Sequence, residues 1–399
     1  LEIMMIEKKD ESMKIIYISS MFDDSDLEKI FLASANVSYA ANKYNKLLCE
    51  GLASNQVEVQ TISILPVTRQ NCKKIIVKKK REKKDNLTFN YLTAVNLPGL
   101  KHIFHCCEAF FRVLFAKRNT VIMYDLFALS PNIGMNMAAR LRRFKRICIL
   151  TDMPEHLTSS KKMLRIEKKL ISDATSYIFL TKQMNEKVNS QNKPAIVLEG
   201  HIDYTLLQQQ DPNSKEKQKE SERIIMYAGA LHERYGVANL VQAFVSCHKQ
   251  NEVLYLYGIG DYVDTIRHIA KEHPCVRYCG VKPNSYIVEA EKNAGLLVNP
   301  RTSSGEYTKY SFPSKILEYM ASGTPVLMAK LPGIPDEYYD YVYTFDDQNT
   351  DGLSGALRFV LDKNADEIAS FGLKARDFVF SQKTNVTQAK KIIDWIHQQ

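Results

Sequence analysis

Short apolar runs that end in polar residues recur along this chain, and most are followed by a stretch of helical periodicity. Lys14–Ser20 (KIIYISS), Val57–Leu65, Asn119–Leu126, Arg146–Met153, Ala174–Thr181 and Ala195–Gly200 read as one series of strands. Continuous apolar runs of this length suit a parallel sheet buried on both faces. Between the first two, YAANKYNKLLCEGLASN reads as a helix, with Leu47 and Leu48 on its apolar face and Gly51 near its stop. Gln208–Arg223 is polar and charged and predicts an interdomain linker or a surface excursion. A second series follows. Strands at Ile224–Leu231, Val253–Asp261, Val276–Val281, Gly295–Pro300 and Thr324–Ala329 alternate with helices at Tyr235–His248, Val263–His273, Asn284–Ala294 and Ser314–Gly323. Strict alternation predicts parallel sheets joined by right-handed crossovers. The expected layout is a first domain over 13–205, a linker over 206–223 and a second domain over 224–383. A terminal amphipathic helix over 384–399 is expected to cross back to the first domain.

Composition narrows this picture without changing it. A chain of 399 residues has room for two such domains. No run of ~18 apolar residues occurs, so no spanning helix is expected. The opening LEIMMIEKKDESMK is charged and lacks the apolar core of a secretory signal; Met4, Met5 and Met13 are the candidate starts. The eight cysteines form no C-x-x-C pair and have no histidine at zinc-ligand spacing. They read as small buried side chains in a reducing cytoplasm.

Each strand of the second series runs into a turn rich in Gly or Pro. Gly229 and Gly236 flank one, Gly258 and Gly260 share another, Gly280 ends a third, and SFPSKILEYMASGTPV opens a helix at Ser314 and closes it near Gly323. Glycines let a backbone approach a ligand closely, and helix N-termini offer N–H groups and partial positive charge to phosphate. Successive turns at the C-terminal strand edges converge on the face where open α/β sheets bind ligands. From about Ile224 to Ile334 the order of pieces resembles the donor-binding domain of glycosyltransferase family 4: YAGALHERYGVANLVQAF, LYLYGIGD, VRYCGV, then PSKILEYMASGTPVL. The stretch is similar to a subset that works in capsular or exopolysaccharide synthesis, with NPR ahead of FPSK and a Glu199–Gly200 pair. The first half is only loosely similar, through its opening strand, the KYN helix and the TDMPEH strand end. The resemblance implies an α/β chain of the GT-B fold, two Rossmann-like domains with parallel sheets facing a central cleft.

Carried over residue by residue, the pattern makes Glu318 the carboxylate that binds the donor ribose hydroxyls. Ser314 and Lys315 open the helix where the diphosphate sits. Gly280 and Val281 belong to the loop that reads the nucleobase, Gly229 lies beside the diphosphate, and Gly258 is a further donor-binding candidate. The chain also departs from the pattern. The usual Arg after the first Gly is Ala230, and the usual Lys six residues past that Gly is Tyr235. Arg234 and Lys315 are the replacement cations on offer. The first glutamate of the family's E-x7-E pair is Tyr310, which leaves Glu306 or Arg301 to reach the donor sugar. In the first domain Asp152 and His156 lie just past a strand, where a carboxylate or imidazole could accept the acceptor's proton. Asn36 stands where the family has paired glycines and is an acceptor-side candidate. Asp23 to Asp26 (DDSD) could be a metal site or a solvated loop, and metal-independent GT-B chemistry favours the loop.

Charge adds a partner. Residues 1–200 carry 32 Lys and Arg against 20 Asp and Glu, whereas the remainder carries 22 against 25. Much of the excess lies in IIVKKKREKKDN and AARLRRFKR, with KHIFHCCEAFFRVLFAKR mixing aromatic and basic residues between them. Such a surface suits an anionic inner-leaflet membrane, a core-facing helix with solvated lysines being the alternative. No nucleic-acid-binding signature accompanies it. The expected activity is transfer of a sugar from a nucleotide diphosphate sugar to a hydroxyl of a lipid-linked glycan, with retention, no cofactor and no metal. The expected location is the cytoplasm, peripheral on the inner face of the plasma membrane. A GT-B-type nucleotide-sugar epimerase and a non-catalytic GT-B partner subunit are the rival readings.

Overall fold

A computed structural model describes residues 13–22, 39–69, 72–158, 160–207 and 222–399, without the side chains of residues 39, 156 and 157. Asn36 and Asp23 to Asp26 lie outside them. The chain divides into two compact units. One comprises the chain up to Phe179 with Asn185–Leu198 and Asn385–Gln399; the other comprises Leu180–Met184 and Glu199–Thr384.

In the first unit, β1 (Lys14–Ser19), β2 (Glu58–Ser63), β3 (Ile76–Val77), β4 (Glu82–Lys84), β5 (Leu87–Phe89), β6 (Ala94–Val95), β7 (Thr120–Tyr124), β8 (Arg146–Leu150), β9 (Ser176–Phe179) and β10 (Ala195–Val197) build an eight-stranded sheet and a small β3–β6 ladder. The sheet runs β10-β9-β8-β7-β1-β2-β5-β4, parallel except for the β4–β5 hairpin. Ile15 pairs with both Val59 and Val121, and these central strands are buried, as their apolar runs require. The direction of winding reverses between β1 and β7. The helix Tyr39–Ser54 ends three residues past Gly51, within a residue of the extent that the sequence predicts. Gly51 serves packing: a Cβ there would fall 2.1 Å from the carbonyl oxygen of Asn385, where the terminal helix Asn385–His397 begins. That helix buries Ala389, Ile392, Ile393 and Ile396 in the same core as Ile15, Leu48 and Leu52.

The second unit holds β11 (Arg223–Ala228), β12 (Glu252–Tyr257), β13 (Val276–Gly280), β14 (Leu296–Asn299), β15 (Val326–Ala329) and β16 (Tyr343–Phe345) in one all-parallel sheet. Its order is β13-β12-β11-β14-β15-β16. Counted from β11 this is the doubly wound 3-2-1-4-5-6 arrangement, and its switch point lies between β11 and β14. Helices Val237–Cys247, Val263–Glu272, Asn284–Lys292 and Lys315–Ser322 follow the strands, and Thr350–Leu361 and Ala365–Gln382 close the unit.

Candidate donor site on the second unit

The carboxyl ends of β11 and β14 define where this sheet can take a ligand. The turns there are built from glycine because they press on one another. A Cβ on Gly258, whose φ is 133°, would fall 1.8 Å from the carbonyl oxygen of Gly229. One on Gly260 would fall 2.1 Å from that of Leu231, and one on Gly236 would fall 2.0 Å from that of Pro300. So the loop after β11 is clamped between those after β12 and β14. Close approach of loop to loop explains Gly236, Gly258 and Gly260, where the sequence suggests approach to a ligand. Gly280 differs: its φ is 72° and nothing lies within 4 Å of a Cβ placed there, so this turn faces open space, with Val281 exposed beside it.

The helix Lys315–Ser322 is anchored to the switch point by one side chain. β11 pairs with β14 only at Ile225 and Met226. Two residues on, the Ala228 N–H donates to the Tyr319 hydroxyl at 2.9 Å, and that hydroxyl donates back to the Ala228 carbonyl at 3.2 Å. Tyr319 is fully buried, and burial holds its phenol neutral well above its usual range. The helix is thereby tied to the residue that precedes Gly229. The Ser314 side chain makes no capping bond at the helix N-terminus. Lys315 donates to Glu318 at 2.7 Å and lies 3.9 Å from Glu291 of the preceding helix. The structure thus brings Ser314, Lys315 and Glu318 together, and sets the ammonium against the carboxylate.

Arg301 stands two residues past the end of β14. Its guanidinium lies over the ring of Tyr307 at 4.6 Å and over that of Tyr235 at 5.5 Å, and the two rings meet edge to face. Tyr235, the residue that replaces the expected lysine, is therefore one wall of a clamp on another cation. Tyr227 faces the same group, and burial raises its phenol while the positive charge of Arg301 opposes the rise. Arg234 is exposed and donates to the Tyr235 hydroxyl at 3.1 Å. Glu306 and Tyr310 open and close the short turn that carries Tyr307; Glu306 is exposed and Tyr310 half-buried. Sequence reasoning missed His232 beside them. Its Nδ1 lies 3.0 Å from the Asp261 carboxylate, which this hydrogen bond holds below its ordinary pKa. HER and GD look like plain turn residues, and only the clamped loops bring them together.

The first unit carries a polar cluster at its own switch point. Asp125, past the end of β7, is fully buried and accepts from Ser19 Oγ at 2.5 Å, Asn45 Nδ2 at 2.6 Å and the Phe127 N–H at 2.9 Å. Tyr17 donates to Asn45 at 2.6 Å, and Asn42 accepts from the Phe22 N–H at 2.8 Å. Burial pushes the Asp125 carboxyl up to about 6 against the pull of those donors. The signal was two asparagines three apart in NKYN on an otherwise apolar helix face. Asp152, half-buried, follows β8 and accepts from Thr151 at 3.3 Å. His156 falls in the short helix Pro154–Leu157. A cavity of about 300 Å³ beside them is lined by Met153, Glu155, Lys168, Tyr177 and Lys187 among others.

Residues 209–378, which span the second unit's sheet, match the family model of glycosyl transferases group 1. Solved structures extend the likeness over both units. Sucrose-phosphate synthase from Thermosynechococcus elongatus is similar with a TM-score of 0.65 at 17% identity, covering 97% of this chain and 98% of that one. HepE of Anabaena, solved in complex with UDP, gives 0.68 at 15% identity over 97% and 100%. The α,α-trehalose 6-phosphate synthase from Burkholderia multivorans gives 0.63 at 9% identity over 97% of each. At such identities the likeness is one of fold, and that fold is GT-B, two Rossmann-like units with parallel sheets. No curated protein matches the sequence.

Proposed function

We propose that the chain is a glycosyltransferase that moves a sugar from a nucleotide diphosphate sugar to a hydroxyl of a lipid-linked glycan. In this reading it retains anomeric configuration, uses no metal or other cofactor, and belongs with family 4 enzymes of capsular or exopolysaccharide synthesis. It works on the cytoplasmic side of an anionic membrane. Eight free cysteines and the basic first half support that placement.

The observation that carries the reading is the convergence at the β11–β14 switch point. The anchored helix presents its N-terminus and Glu318, and the Arg301 guanidinium lies over two rings. A carboxylate accepts from two vicinal ribose hydroxyls at once. As the bond from the sugar's anomeric carbon to the phosphate oxygen breaks, the electron pair stays on that oxygen. Lys315, Arg301 and the helix N–H groups then meet the growing negative charge without first reorganising. Gly280 and Val281 border the base, and Gly229, Gly258, Arg234 and Tyr310 complete the donor surroundings. The acceptor hydroxyl bonds to the anomeric carbon and gives up its proton. Asp152, His156 and Glu306 are the groups offered to take it, and Asn36 is offered to the acceptor.

The test is thermal melting with UDP, GDP, ADP and CMP compounds. UDP comes first because HepE was solved with UDP and with UDP-glucose. A ligand at 100 times its Kd adds about 2.7 kcal/mol to the native state. UDP is expected to raise the midpoint of the wild type and to have no effect on Glu318→Ala or Arg301→Ala. No shift with any nucleotide at millimolar concentration would count against the donor site. Release of an altered sugar nucleotide without acceptor would replace transfer by epimerisation.

A further inference from the structure

The helix Leu100–Leu114 has two apolar faces, and among the described residues only one of them is packed. His105, Ala109 and Val113, four apart, are buried. The neighbouring helix Leu129–Leu141 comes so near that a Cβ on Gly134 would fall 1.9 Å from the Cys106 carbonyl oxygen. Arg142 ties the far end down by donating to the carbonyls of Leu114 and Ala116. On the other face Leu100, Ile103, Phe104, Phe111 and Phe115 follow one another at helical spacing, and all are exposed, Phe115 by 79%. Phe111 and Phe115 stack on each other at 6.5 Å. Leu141, 70% exposed, ends the neighbouring helix. Surface leucines and phenylalanines scattered singly need no explanation, but a contiguous stripe does.

The charges around the stripe indicate what covers it. Residues 100–146 hold nine Lys and Arg and two acidic residues. Of those two, Asp125 is buried and Glu108 is paired with Arg112 at 2.6 Å. Lys117, Arg118 and Arg143 are exposed at its border. A second copy docked symmetrically on this face would set like charge against like. An anionic lipid surface complements both the stripe and its border.

We propose that this face is a monotopic docking surface for an anionic bilayer. Ile103, Phe104, Phe111 and Phe115 enter the interface, and Lys117, Arg118 and Arg143 lie on the headgroups. This rests on the membrane placement given above and names the surface responsible, and it shares no residue with the donor site. The experiment is flotation with vesicles of phosphatidylcholine, alone or mixed with phosphatidylglycerol. The full chain should float with the mixed vesicles, far less with phosphatidylcholine alone, and less as salt rises. Phe111→Ser with Phe115→Ser should weaken binding by an order of magnitude or more. Lys117→Ala and Arg118→Ala should cost about fivefold each, and on the mixed vesicles only. Circular dichroism and the UDP-induced melting shift, recorded on the same samples, should not change. Binding that survives the double Phe substitution, or wild-type protein that floats with neither vesicle, overturns the proposal. So does a concentration-dependent dimer that the Phe substitutions abolish. Loss of the UDP shift alone would instead point to the donor site.

Discussion

Two buried titratable residues of the first unit act on stability in opposite senses. Asp125 has its carboxyl raised from 3.8 to about 6, chiefly by burial. The native state therefore holds a proton that the unfolded chain releases between those values. The stability this contributes is complete below 3.8 and is lost as pH rises through about 6. His105 has its imidazole lowered from 6.5 to about 4, again chiefly by burial. Its contribution is present above 6.5 and is lost as pH falls toward 4. Each effect is on the order of 3 kcal/mol, so the two nearly cancel between pH 4 and 6.5. Substituting either residue should uncover the other. Relative to wild type, Asp125→Asn should gain stability as pH rises across this window, and His105→Gln should lose it. Urea unfolding at several pH values measures both slopes. Three parallel curves would mean that neither group titrates as its surroundings require.

At the scale of elements, the helix Lys315–Ser322 buries Ile316, Leu317 and Met320 and is tied to β11 by the Tyr319 hydroxyl. Tyr319→Phe leaves the buried N–H and C=O of Ala228 without their partner, a cost of about 1–3 kcal/mol. If the helix N-terminus positions the diphosphate, UDP affinity should fall along with the melting midpoint. Calorimetric titration showing unchanged affinity in a destabilised protein would separate the anchor from the donor site. This helix also shows what the sequence can convey. Its apolar spacing and Gly323, observed at φ 78°, define its extent to within a residue at each end. The strands of the second series were legible for the same reason, because a buried parallel strand must be apolar throughout. The β4–β5 hairpin was not, since Glu82–Lys84 has no apolar alternation and pairs through Lys83 and Thr88. Nor was the clamp on Arg301, whose walls are Tyr235 and Tyr307. A cation held between rings from separate loops leaves no local trace, and Tyr235 read alone looks like the loss of a charge.

At the scale of the whole molecule, the last residues of the chain complete the core of the first unit. Ile392, 1% exposed, packs with Leu48 and Leu52 of the helix Tyr39–Ser54, and Asn385 donates to the Leu47 carbonyl at 3.1 Å. The helix Asn385–His397 is therefore structural for a unit whose first strand lies more than 350 residues earlier. Ile392→Ala removes buried methyl groups and leaves a cavity, which costs about 2–5 kcal/mol. That loss belongs to the first unit, whereas UDP is proposed to bind the second. In calorimetry, Ile392→Ala should lower one unfolding transition and UDP should raise the other. The UDP response of the variant should equal that of wild type. If the substitution and the nucleotide instead move one shared transition, the two units unfold as a single cooperative body, and the terminal helix stabilises the donor site as well as its own core.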